Sequence, residues 1–346
     1  MKLHPKANTA LRVGFVLVAV ALLVYAVASK WGDVRDALSR MGPLPVIGSL
    51  ALAIIGLFFT CMCWRALMSE LGSPLPMVAS IRVFFLSQVG KYLPGSVWPF
   101  VAQMEMTRDL GIPRERSGTA GLLFLGLNPL TGIIVGAVTL PFVSPHTLRE
   151  YWWSLLIVPI GLAILHPKVL NPLLRRAFKI LKRPALERPL RAYGLAKAAG
   201  WLIVTWVFYG LSILVMAAPL GVHGGKALPA SIGAYALAWS AGFIFIIAPA
   251  GLGVRDAALV LTLSTVMSTP SATAVAAVSR VVQTLGDGGW AMVAGVLHGR
   301  AKRRNGPGAN ATDDSTDGAA ESDPDPNPEP DPEPAEPPRT GGRHAR

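Results

Sequence analysis

Five charged side chains sit in stretches that are otherwise apolar: Lys91, Arg255, Asp256, Arg280 and Asp287. Three cations and two carboxylates in such surroundings suit an anionic headgroup, with the cations contacting a phosphate and the acids orienting the cations. Lys91, Arg255 and Arg280 are therefore the candidate substrate-binding residues, and Asp256 and Asp287 the candidate orienting or ion-pairing residues. Arg280 and Asp287 are seven residues apart, about two helical turns, so they share a face with Gln283 and Thr284 between them. Insertion scales assign about 2.5–3.5 kcal/mol to each such ion at mid-bilayer, so that face must turn toward protein or a wet cavity. The competing use is an internal ion pair that fixes helix packing, for instance Arg255 with Asp287.

Two broken segments carry the first three of these residues. In Ser87 to Gln103, SQVGKYLPGSVWPFVAQ, the residues Lys91, Pro94, Gly95 and Pro99 rule out a straight spanning helix. A dip into the membrane and back would offer freed backbone N–H groups and Lys91 to an anion. A kinked interfacial helix whose Lys91 reaches lipid phosphates is the plainer alternative. In Ala248 to Asp256, APAGLGVRD, the residues Pro249, Gly251 and Gly253 end one helix before Arg255-Asp256 opens the next. Asp256 near a helix N-terminus suits the helix dipole, and Arg255 beside it can meet a phosphate or an acid. A structural turn with a capping acid is the simpler reading. Broken segments in both halves of a membrane chain point to a midplane transport site, although no residue-level repeat accompanies them.

The elements that must hold these residues are membrane helices. Of 346 residues, 52% are hydrophobic and 15% charged, and the mean hydropathy is +0.46, well above a soluble domain of this length. A spanning helix needs about 20 mostly apolar residues. Spans are predicted near 11–29, 44–63, 118–141, 151–166, 199–219, 231–249, 256–268 and 272–298, the fourth and seventh being short. The fold class is thus all-α, a polytopic bundle of about eight spans with Pro/Gly-broken or re-entrant segments. Gly132 and Gly136 have a spacing that allows close helix packing. Lys2, Lys6 and Arg12 place the N-terminus in the cytoplasm. The loop from Lys168 to Lys197 holds nine basic residues against Glu187, and the loops near 142–150, 220–230 and 269–271 carry almost no charge. Arg300, Lys302, Arg303 and Arg304 close the last span and place the C-terminus inside as well. Trp152 and Trp153 begin the fourth span at interfacial depth. Ala26-Val27-Ala28 resembles a signal-peptidase site, but the apolar run before it is long for a signal, and the first helix is read as retained.

Two domains follow, a transmembrane domain over 1–304 and an acidic, Pro-rich cytoplasmic tail over 305–346. The tail carries ten of the twenty acidic residues and three of the thirty-two basic ones. Its run DPDPNPEPDPEPAEPP predicts disorder, since it has too little apolar surface to fold. Residues 1–304 therefore hold 29 basic and 10 acidic residues. That excess favours anionic lipid headgroups or an anionic substrate, and positive cytoplasmic loops alone also account for it. Cys61 and Cys63 lie on different helix faces and form neither a disulfide framework nor a metal site. No zinc-binding spacing, phosphate-cradling glycine loop or nucleophile elbow is present, so the sequence calls for no catalytic residue, cofactor, metal or nucleic acid.

GKYLPGSVWPFVAQ at 90–103, PAGLGVRDAAL at 249–259 and SRVVQTLGD, which spans Arg280 to Asp287, resemble in order and spacing the flippase-like, lysylphosphatidylglycerol synthase transmembrane-region family. The resemblance runs from about residue 11 to 300. Asp256 stands where that family more often has Glu, which preserves a carboxylate. The resemblance implies a bundle of about eight helices with re-entrant elements, associated with moving lipids or lipid-linked headgroups between leaflets. Fused relatives add a soluble aminoacyl-transferring domain, in place of which this chain has the short tail. The leading expectation is a flippase-like transporter, not an enzyme, in the cell membrane. Its substrate would be an anionic amphiphile such as an aminoacyl-phospholipid or a polyprenyl-phosphate-linked sugar. Two others compete with it. One is a non-transporting scaffold partnering an envelope-biosynthesis enzyme, such as a glycosyltransferase, through the basic loop and acidic tail. The other is a membrane transferase using Asp256 or Asp287 as base, which lacks an accompanying nucleophile or metal set.

Overall fold

The computed structural model describes residues 31–92, 98–143, 155–180, 189–244 and 253–304. The chain divides into Met1–Ala301 and Lys302–Arg346, and only residues 302–304 of the second unit are described. The predicted first span at 11–29, Trp152, Trp153 and the tail at 305–346 lie outside the described residues.

Every regular element among the described residues is helical. In chain order the α-helices are α1 (Trp31–Met41), α2 (Pro43–Glu70), α3 (Met77–Gln88), α4 (Trp98–Arg108), α5 (Arg114–Val143) and α6 (Ile157–Leu165). There follow α7 (Pro167–Ile180), α8 (Ala192–Ala217), α9 (Ala227–Ile244), α10 (Val254–Leu263) and α11 (Thr269–Arg304). Short 3-10 turns extend α3 over Val89–Tyr92 and α8 over Ala218–Leu220. Three described stretches are long and apolar enough to cross a membrane: Pro43–Glu70, Arg114–Thr139 and Ala192–Leu220. They match the predicted spans at 44–63, 118–141 and 199–219. Of the predicted short span at 256–268, the described α-helix is Val254–Leu263, ten residues, about 15 Å against a hydrocarbon thickness of about 30 Å. Of the predicted span at 151–166, the described α-helix is Ile157–Leu165.

The bundle is built on two antiparallel helix pairs. In α2 and α8, Ser49 meets Ser212 (Oγ–Oγ 2.7 Å), the Thr205 hydroxyl donates to the Gly56 carbonyl at 3.4 Å, and the Arg191 N–H donates to Glu70 at 2.7 Å. As one residue number rises the other falls, which fixes the antiparallel sense. Glycine permits the approach at the centre, since a Cβ at Gly56 would lie 2.6 Å from the Tyr209 ring. The same logic joins α5 to α9, where Gly132 faces Ser240, Gly136 faces Leu237 and Gly233 faces Thr139. The Gly132–Gly136 spacing is thus a packing surface for α9. Trp206 of α8 donates its indole N–H to Thr131 of α5 at 3.1 Å and ties the two pairs together.

Two helical hairpins complete the unit. The first is α3–α4. The loop before it meets the first turn of α5 after it, because Arg116 reaches the Gly72 carbonyl and the Ser73 hydroxyl. Deeper in, Phe85 stacks on Trp290 (4.5 Å, 5°), whose indole donates to the Ile54 carbonyl in the middle of α2. A Cβ at Gly90 would lie 3.0 Å from the Pro99 backbone nitrogen, so the two arms close on each other. The segment therefore enters and leaves the bundle by its Glu70 end, which decides against a single kinked helix. Its connecting residues, Pro94 and Gly95 among them, lie outside the described residues. The second hairpin is α9–α10. Its outer ends cluster with Ala217, where Val222 and Ala227 pack with Val266 and Met267. Arg255, at the start of α10, abuts Gly242 of α9. This hairpin therefore enters from the opposite end, and Pro249 and Gly251 in its connection lie outside the described residues.

Candidate functional site

Both hairpins deliver their charges to α11. Gly253, with φ +82°, is the N-cap of α10, a backbone geometry that suits glycine. Asp256 then occupies the first turn, and its carboxylate accepts the Gly253 N–H at 3.1 Å. A carboxylate here satisfies an orphan backbone donor and meets the positive end of the helix dipole. The same carboxylate takes a two-point ion pair from Arg280, with Nε–Oδ1 2.9 Å and Nη2–Oδ2 2.8 Å. Planar guanidinium against planar carboxylate is the geometry in which both hydrogen bonds are charge-assisted.

One side of the same helix carries Asp287, which pairs with Lys91 of the first hairpin (Nζ–Oδ2 2.6 Å). The acids are the more enclosed members, at 7% exposure for Asp287 and 8% for Asp256, against 28% for Lys91 and 19% for Arg280. Gly286, adjacent to Asp287, faces Leu57 halfway along α2. The Lys91–Asp287 pair therefore lies near the middle of the long helices, well away from their ends.

Between the two ion pairs runs a hydrogen-bonded chain through buried side chains. Arg255 donates to the Tyr235 hydroxyl at 2.5 Å, with its Cζ 4.9 Å from the ring centroid. The Tyr235 hydroxyl in turn donates to Gln283 at 3.0 Å, and Gln283 Nε2 donates to the Tyr209 hydroxyl at 3.3 Å. Tyr209 and Tyr235 pack against each other at 5.2 Å, so the rings that carry the hydroxyls also fill the core.

All five charged residues named from the sequence are thus gathered along one face of α11 and the hairpins that meet it. Two expectations are corrected. Arg255 pairs with Tyr235, not with Asp287, which is engaged by Lys91. Among the described residues no carboxylate lies within 4.0 Å of Arg255. Thr284 does not belong to the polar stripe: it is exposed and returns its hydroxyl to the Arg280 carbonyl, while Gln283 is buried. Four residues along the helix is a 40° rotation one way and three residues 60° the other, so packing selects one flank only. Sequence reasoning missed Tyr209 and Tyr235. Their signal is the phenolic hydroxyl itself, a polar group that needs a partner when placed among residues such as GAYALAW.

Among the described residues no group of His, Cys, Asp and Glu could hold a metal ion. Cys61 and Cys63 are both buried free thiols. Among the described residues the cluster brings three cations together with two carboxylates.

A comparison with curated proteins finds no match. The sequence profile of the lysylphosphatidylglycerol synthase TM region matches residues 10–287, a stretch containing all five charged residues and both hairpins. This chain is a membrane protein and belongs to the lysylphosphatidylglycerol synthase transmembrane-region family.

Proposed function

We propose that this protein is a non-enzymatic, flippase-like transporter of an anionic lipid or lipid-linked headgroup in the cell membrane. The observation that carries the reading is the Lys91–Asp287 and Arg280–Asp256 cluster on α11, reached by one hairpin from each end of the bundle. Arg255, held by a neutral phenol, supplies the cation not matched by an acid among the described residues. A phosphodiester carries one negative charge, which equals the excess of cations over carboxylates among the described residues of the cluster. Lys91, Arg255 and Arg280 would contact the phosphate, while Asp256 and Asp287 hold the cations in place when the site is unloaded.

In this reading the apolar segment at 11–29 and the one at 151–166 join α2, α5, α8 and α11 as crossings. The segments at 231–249 and 256–268 form the hairpin that enters from the outer side. Replacing two crossings of the eight-span topology by one hairpin keeps the parity, so both termini stay cytoplasmic, as the basic residues at 2–12 and 300–304 require.

The test is reconstitution in liposomes with labelled phospholipid and polyprenyl-phosphate lipids, following leaflet accessibility over time. Wild type is expected to exceed empty vesicles, and Arg255→Gln to lose that excess with the protein still folded. Because Arg280 is an ion-pair partner, its variant is tested as Arg280→Gln with Asp256→Asn, which removes both charges together. No lipid movement by folded wild type overturns the reading and turns attention to a scaffold for an envelope enzyme, and unchanged movement in both variants overturns the role given to the charge cluster.

A further inference from the structure

Outside the charge cluster, α7 presents three distinct faces. Its sequence PKVLNPLLRRAFKI contains four cations and no acid. At 100° per residue, Lys168, Arg175, Arg176 and Lys179 occupy one sector, and all are exposed. Val169, Leu173 and Ile180 occupy the next sector and are exposed at 46%, 53% and 80%. Leu170 and Phe178 fill the third and are buried, with Leu170 in the main core. A helix at a protein–water boundary needs only two faces, an apolar one inward and a polar one outward. The extra apolar sector beside the cations requires an apolar medium bordered by negative charge.

The position of the helix supplies that medium. Asn171 clamps Leu190, donating to its carbonyl at 3.1 Å and accepting its N–H at 3.0 Å. The next residue, Arg191, donates its N–H to Glu70, the last residue of α2, at 2.7 Å. That contact sits where α2 ends and α8 begins, so α7 is fixed at the level where two candidate crossings leave the hydrocarbon.

We propose that α7 is an interfacial amphipathic helix that docks the protein on anionic phospholipid headgroups. Leu173, Ile180 and Val169 enter the acyl boundary, and Lys168, Arg175, Arg176 and Lys179 engage the phosphates above it. The occupant is a bilayer surface and not the acidic tail, because a Pro-Asp-Glu segment offers charge but nothing to cover the apolar sector. This surface is separate from the α11 cluster and stands whether or not the chain transports lipid.

Full-length protein in bilayer discs of phosphatidylcholine, with or without phosphatidylglycerol, tests it. Nitroxides attached through Leu173→Cys and Ile180→Cys are expected to collide preferentially with oxygen, and one at Arg175→Cys with a water-soluble nickel chelate. In the unmodified chain, acylation of Lys168 and Lys179 is expected to slow about fivefold when phosphatidylglycerol is added, the factor for one cation at an anionic surface. Nickel access at all three labels overturns the proposal by placing the apolar sector in water. Protection of both lysines in pure phosphatidylcholine overturns it in favour of a covering protein segment, and equal acylation in the two lipids overturns the headgroup contact. The acylation arm needs no substitution, so a label that disturbs folding leaves the proposal falsifiable.

Discussion

Arg280 and Asp256 are joined by two parallel hydrogen bonds, 2.9 and 2.8 Å long, between the first half of α11 and the first turn of α10. This pair is therefore at once a helix cap, a buried charge match and the latch between the second hairpin and α11.

Neutralising only one partner leaves the other charge enclosed. Arg280→Gln and Asp256→Asn are each expected to destabilise the protein by about 3 kcal/mol, the lower end for broken buried pairs because Arg280 is partly exposed. The double variant is expected to lose less than either single one. Thermal unfolding in detergent of the four proteins measures the coupling, and strictly additive losses contradict it.

Gly242 is a steric test of the second hairpin. A Cβ there would lie 2.7 Å from Arg255 Cβ and 3.3 Å from its Cα, so α9 and α10 must part to accept it. Gly242→Ala is expected to cost about 1–3 kcal/mol through overpacking, read as a lower unfolding temperature in detergent. Gly126, which has open space at the same test, serves as the control, and Gly126→Ala should be neutral or slightly stabilising.

Removing one oxygen from Tyr235 separates wiring from packing. Tyr235→Phe keeps the ring against Tyr209 but removes the hydroxyl between Arg255 and Gln283. The expected loss is about 1–3 kcal/mol, since two buried polar partners are left unsatisfied. If lipid transport is present, its apparent substrate affinity should change as Arg255 reorients. Unaltered stability and transport would show that the hydroxyl carries no weight.

At the base of the first hairpin, the Arg114 hydrogen bond holds the exposed Glu105 carboxylate below its ordinary value of 4.5. A depressed folded value means that the stabilisation is present above the unfolded carboxylate pKa and fades as pH falls through the folded one. Glu105→Gln is therefore expected to differ slightly from wild type at neutral pH and to converge with it in acid. Full exposure keeps the effect small. Unfolding temperatures measured from neutral to acidic pH give the comparison.

Much of the fold was legible because apolar length alone identifies α2, α5 and α8. The broken helices were legible too, since Pro and Gly interrupt them in the sequence itself. Pairing was not. Spacing along a helix places Arg280, Gln283 and Asp287 on one side, but which acid meets which cation depends on how distant segments fold back. Lys91 reaches Asp287 only because the first hairpin turns inward and carries it past Phe85 and Trp290. The exact end of α10 was not legible either: VRDAALVLTLSTVM is apolar throughout its middle, and Ser264 caps the helix where the chain turns toward α11. Tyr209 and Tyr235 escaped notice because their rings read as core, and only tertiary contact shows that the hydroxyls continue a polar chain.

The burial of Cys61 and Cys63 has a practical outcome for anyone handling this protein. Both sulfurs are enclosed in α2, at 0% exposure, and the sequence contains no other thiol. Reagents that attack solvent-accessible thiolates will find none in the native fold. The natural chain is therefore already a silent background for thiol labelling. A cysteine placed on any outer helix face reports from that position alone, and reactivity of the native pair becomes a direct readout of α2 coming apart.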